Sequence, residues 1–86
     1  MKRRSTKDDH SLVAVTWLDP QSDVGWFSVE AVNEMKPAVI NSIGFMVRDS
    51  KGCIAITTSI CETGDVADPL IIPKKLILNI KKVRIT

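Results

Sequence analysis

The stretch Ile40-Asn41-Ser42-Ile43-Gly44-Phe45-Met46-Val47-Arg48-Asp49-Ser50-Lys51-Gly52-Cys53-Ile54-Ala55-Ile56-Thr57-Thr58-Ser59-Ile60 decides the fold. Ile43, Phe45 and Val47 alternate with Gly44, Met46 and Arg48. Beyond the polar segment Arg48 to Gly52, Ile54, Ile56 and Thr58 alternate with Cys53, Ala55 and Thr57. Successive side chains of a strand point to opposite faces, so this period of two on both sides of a Gly-containing turn predicts a β-hairpin. A loop of this length ending near Gly52 predicts a type I turn closed at positive φ by Gly52, which has no Cβ to clash there. A lone hairpin is marginal in water, so further strands must cover its apolar face.

Upstream, Leu12-Val13-Ala14-Val15-Thr16-Trp17-Leu18 places Val13, Val15 and Trp17 on one face and predicts a first strand. Asp19-Pro20-Gln21-Ser22-Asp23 ends it, because Pro20 has no amide proton to donate and Asp and Ser favour turns. Ser28 is positioned to cap a short helix over Val29 to Met35, with Glu30 near its positive end, and Pro37 stops that helix by Met35 or Lys36. Val29, Val32 and Met35 share one helical face, which predicts a helix lying across an open end of the sheet. Trp17, among alternating valines, reads as core. Trp26, between Gly25 and Phe27, suits either a core or a binding surface.

Downstream, Cys61-Glu62-Thr63-Gly64-Asp65-Val66-Ala67-Asp68-Pro69 is the most polar internal segment. Its carboxylates recur at every third residue, whereas a calcium loop sets ligands at alternate positions with a distal Glu. A solvated loop with a Thr63-Gly64-Asp65 turn is expected, with no metal and no cofactor. Leu70-Ile71-Ile72-Pro73 then reads as a short strand, followed by a tight turn and a longer strand from near Leu76. Ile77, Ile80 and Val83 fall every third residue, which predicts one turn of 3₁₀ helix leading into a bulged or strongly bent strand.

A chain of 86 residues makes one domain. At that size only roughly 60% of the unfolded surface is buried, so oligomerisation is expected. The division is a flexible basic tail at 1–10, holding the sole histidine, His10, and a single small β domain at 11–86. No apolar run approaches the ~20 residues that cross a bilayer. Met1-Lys2-Arg3-Arg4 leads into polar residues instead of the apolar segment of a secretory signal, so a cytoplasmic location is expected. Cys53 and Cys61 match no CxxC pattern and read as reduced, partly buried thiols. Charge is split: +4 over residues 1–7, −7 over 8–73 and +5 over 74–86. Two basic ends around an acidic body favour charge pairing, within the fold or between subunits, at least as much as binding of a polyanion.

The order of a strand, an irregular insertion, a long bent hairpin, a short strand, an Ile-Pro-Lys turn and a closing strand resembles small SH3-like and Sm-like β-barrels. The chain is also similar to short uncharacterised bacteriophage proteins. That likeness rests on Val15-Thr16-Trp17-Leu18-Asp19, Ser42-Ile43-Gly44-Phe45-Met46-Val47 and Ile71-Ile72-Pro73-Lys74. Together the resemblance spans about residues 12 to 85. It implies a mainly β fold: a small five-stranded barrel, or a strongly bent antiparallel sheet, with one short helix. Bacterial Sm-like proteins form rings and bind RNA, so it also implies assembly and RNA binding. A phage origin would place the protein in the host cytoplasm.

No reaction is encoded by a recognisable motif. A Ser-His-Asp or Cys-His centre would have to use His10 in the tail, and Gly-x-Ser-x-Gly, Gly-x-x-x-x-Gly-Lys and Gly-x-Gly-x-x-Gly are missing from the sequence. A protein without enzymatic activity is expected, and three readings of it follow. The first is an oligomeric interaction module that binds or inhibits a host protein. The second is RNA or single-stranded DNA binding through Lys74, Lys75, Lys81, Lys82 and Arg84, with Trp26 stacking. The third is an anionic nucleotide sequestered between subunits by Lys74, Lys75, Arg48 and the Thr63-Gly64 turn.

Overall fold

The computed structural model describes residues 10–84. The basic tail expected at 1–10 therefore lies outside the described residues except for His10, which is half-buried just ahead of the first strand. Among the described residues the chain forms β1 (Leu12–Asp19), α1 (Val29–Asn33), β2 (Ala38–Asp49), β3 (Cys53–Thr57), β4 (Leu70–Pro73), a 3₁₀ turn (Lys74–Leu76) and β5 (Ile77–Lys82). All strand pairs are antiparallel, and they make one open sheet in the order β4-β3-β2-β1-β5.

β2 is the spine of this sheet. Its first part pairs with β1, from Asp19↔Ala38 to Leu12↔Phe45, and its last part pairs with β3, starting at Phe45↔Thr57. The handover falls beside Gly44, where a Cβ would sit 2.8 Å from the Thr57 carbonyl oxygen. A side chain at position 44 would push β3 away from β2, so glycine is what lets the two backbones approach. Register shifts between Met46 and Arg48, and on β1 between Thr16 and Trp17 opposite β5, add bends on either side. Each such irregularity increases local twist.

One face of the bent sheet carries the core. Val13, Val15, Ile54, Ile56 and Ile72 are buried, with Trp17, Met46, Leu70 and Ile77 packed partly buried against them. The alternation seen in the sequence explains the β1 and β3 members: Ile54 faces Ile72 and Ile56 faces Leu70 across the β3–β4 ladder. On β2 the expectation is corrected: Val13 pairs with Gly44, so Met46 packs against this core, while Ile43, Phe45 and Val47 belong to the alternate positions and Ile43 is exposed. Trp17 belongs to this core, and its indole Nε1 donates to Ser42 Oγ at 3.1 Å, meeting the requirement of a part-buried N–H.

Several local expectations are corrected. The β2–β3 turn does not use Gly52 at positive φ; the glycines in that conformation are Gly25 and Gly64. Ser50 closes the turn instead, donating from its backbone N–H and its hydroxyl to the Cys53 carbonyl, each at 3.0 Å. A serine hydroxyl makes the chain reversal without the special backbone angle. The helix is capped by Ser28, whose Oγ accepts from Ala31 N at 3.1 Å, but it ends at Asn33. It does not lie across the sheet. Val29 and Val32 are exposed, and every residue from 20 to 37 is exposed. Cys53 is half-buried on β3, whereas Cys61 is exposed because its loop stands outside the sheet.

The closing region follows the sequence pattern. β4 ends at Pro73, the 3₁₀ turn links it to β5, and Lys74 N donates to the Gly52 carbonyl at 2.9 Å, tying this connection to the β2–β3 turn. Residues every third position arise where a three-residue turn meets a strand whose pairing is irregular.

Candidate functional site

Two surfaces have properties that the fold itself does not require. The first is the segment 20–37, which leaves the sheet after β1 and returns as β2, and is called the arm here. Val24, Trp26, Phe27, Val29, Val32 and Met35 are all exposed on it, Trp26 at 102% of the reference area. An indole normally buries on the order of 150–250 Å². Held wholly in water, that area contributes nothing to the stability of the sheet. Gly25, immediately before Trp26, holds φ 129°, a conformation that L side chains rarely adopt. Asp23, Glu30 and Glu34 against Lys36 make the arm acidic.

The second surface lies at the opposite end of β1. Val13, Met46 and Ile80 floor a concavity of about 400 Å³ whose rim carries Lys81, Lys82 and Asp49. The β1–β5 ladder sets this composition by placing Val13 opposite Lys82 and Val15 opposite Ile80. From Val13 to Asp19, where the arm begins, β1 extends ~20 Å at the usual strand rise.

The residues proposed from sequence are divided between places. Trp26 is on the arm. Lys81 and Lys82 are exposed at the far end of β5, with exposed Arg84 two residues beyond Lys82. Lys74 and Lys75 are exposed in the 3₁₀ turn, and Lys74 Nζ is 2.7 Å from Asp49 Oδ1. Arg48 is exposed near the end of β2. Thr63 lies in the exposed loop, its Oγ1 donating to Asp65 Oδ2 at 3.5 Å. Stacking and cationic groups are therefore not gathered in one groove, and Lys74 is already engaged by a carboxylate. Among the described residues no group of three or more His, Cys, Asp or Glu side chains converges.

Sequence reasoning missed Thr57. Its side chain is buried, and its hydroxyl bonds the Ala67 carbonyl, while Ala67 N donates back to Ser59 O at 3.1 Å. The Thr57 bond fastens the 58–69 loop to the end of β3, while the Ala67–Ser59 bond and the Ile60–Val66 bridge close the loop on itself. A threonine in a strand pattern gives no hint of this, since its partner is ten residues away.

No protein-family model, curated protein or solved structure matches the chain. No helix among the described residues is long and apolar enough to cross a membrane.

Proposed function

We propose that this protein is a non-enzymatic interaction module that works by binding other protein chains, in the manner of small phage-encoded inhibitors of host proteins. The single observation that carries this reading is the arm, eighteen consecutive residues that are all exposed and include a fully exposed tryptophan. Clustered exposed apolar groups of this kind mark interaction sites. Aromatic anchors ringed by polar residues supply most of the affinity at protein interfaces. A small SH3-like or Sm-like barrel is the structural reading that goes with it, supported by a long bent β2 shared between β1 and β3 and by the 3₁₀ turn before the last strand.

The test is capture of partners by the tagged full chain from a bacterial host lysate, compared with a variant carrying Val24→Ser, Trp26→Ser and Phe27→Ser. The expected result is specific capture, and association in solution, by the wild type only. Equal capture and equal solution mass for both proteins would overturn the reading.

RNA or single-stranded DNA binding is the second reading, favoured by Lys75, Lys81, Lys82 and Arg84, which form no ion pair among the described residues. It requires oligonucleotide affinity that falls steeply with salt and with reversal of Lys81 and Lys82. Sequestration of a nucleotide has less support, because Lys74 is held by Asp49 and the Thr63 turn is in a separate loop.

A further inference from the structure

We infer that the partner of the arm is a second copy of this chain, with Trp26 of one copy seated in the Lys81–Lys82 concavity of another. This deepens the interaction-module reading and rests on it. The two surfaces complement one another in three respects. The concavity is an open hollow of about 400 Å³ with an apolar floor of Val13, Met46 and Ile80, against which an indole face can pack. Its rim supplies Lys81 and Lys82, whereas the arm carries Asp23, Glu30 and Glu34 around its apolar residues. Asp49 on the same rim pairs with Lys74 through Oδ1 and keeps further acceptor capacity on its carboxylate for the indole N–H, which can only donate.

The exposed side chains of Val24, Trp26, Phe27, Val29, Val32 and Met35 give the arm an apolar surface that association removes from water. The chain does not satisfy itself in this way: Trp26 is fully exposed, and the arm leaves β1 ~20 Å along the strand from the concavity. An element and its receptor separated by a rigid sheet make contact between copies, either reciprocally in a dimer or head to tail in a ring.

Light scattering and sedimentation equilibrium of the full chain over a concentration series test this. The wild type is expected to associate. Trp26→Ser, which alters the arm, and Lys81→Glu with Lys82→Glu, which alters the concavity, are each expected to weaken association at least tenfold. Thermal melts of both variants establish that the sheet is intact, since all three positions are exposed. The decisive sample is an equimolar mixture of the two variants. There the intact arm of one meets the intact concavity of the other, so the mixture is expected to associate at least tenfold more strongly than either variant alone. A wild type that stays monomeric, variants that associate like wild type, or a mixture no stronger than its components would each overturn the inference. If the wild type is monomeric but still needs the arm to capture an unrelated host protein, the second-copy inference fails and the interaction-module reading survives. A monomeric wild type whose capture is indifferent to the arm removes the broader reading itself.

Discussion

Gly44 and Gly52 look equivalent in the sequence and differ in what their surroundings permit. At Gly44 an added Cβ would meet the Thr57 carbonyl oxygen at 2.8 Å and the Ile56 Cβ at 3.2 Å, both on a neighbouring strand that has no room to retreat. Gly44→Ala is expected to destabilise the protein by about 1–3 kcal/mol, the usual cost of overpacking, read as a lower denaturant midpoint at unchanged slope. At Gly52 an added Cβ meets nothing within 4 Å and the backbone is not at positive φ. Gly52→Ala is expected to leave stability unchanged or raise it by up to about 1 kcal/mol, because alanine narrows the unfolded ensemble. Thr57→Val keeps the shape of a buried side chain but removes the donor to the Ala67 carbonyl. Ala67 is exposed, so its freed carbonyl is hydrated and the expected loss is the net worth of one hydrogen bond, about 0.5–1.5 kcal/mol, with faster amide exchange confined to the 58–69 loop. The environments of Gly44 and Thr57 are not visible in the chain order, since each is created by a strand or loop at least ten residues away.

At the level of elements, the strands and the arm should respond differently to mutation. Ile72 on β4 is wholly buried and faces Ile54 on β3. Ile72→Ala should cost about 2–5 kcal/mol and shift the cooperative unfolding transition as a whole. Ser28→Ala removes the cap of α1, a loss of about 0.5–2 kcal/mol to the helix. That loss should appear as lower helicity and faster exchange between 28 and 35, with little change in the melting temperature of the sheet, because no arm residue is buried. Strand positions were legible from period-two alternation, and the β4–turn–β5 unit from its Pro and its every-third-residue pattern. The destination of the helix was not. Val29, Val32 and Met35 have the spacing of a buried face, and spacing states that a face needs covering without stating which chain covers it.

Over the whole molecule, a sheet built on five buried aliphatic residues has an apolar arm at one end and a lysine-rimmed concavity at the other. Self-association should therefore weaken with added salt as the Lys–carboxylate contribution is screened, and persist in part at high salt because the apolar contribution remains. The Asp49–Lys74 pair is 2.7 Å apart with side chains 61% and 42% exposed. Lys74→Ala is expected to change stability by less than about 1 kcal/mol, as for other solvent-screened ion pairs. The sequence by itself determined the mainly β class, the hairpin, the Ser28 cap, the 3₁₀ turn and the core residues of β1 and β3, because those depend on periodicities of two and three and on side-chain chemistry within a few positions. Tertiary structure alone decided the strand order, the need for Gly44, the burial of Thr57, the separation of Trp26 from the lysines and the exposure of the arm. Those depend on which distant segments the bent sheet brings together and which it holds apart.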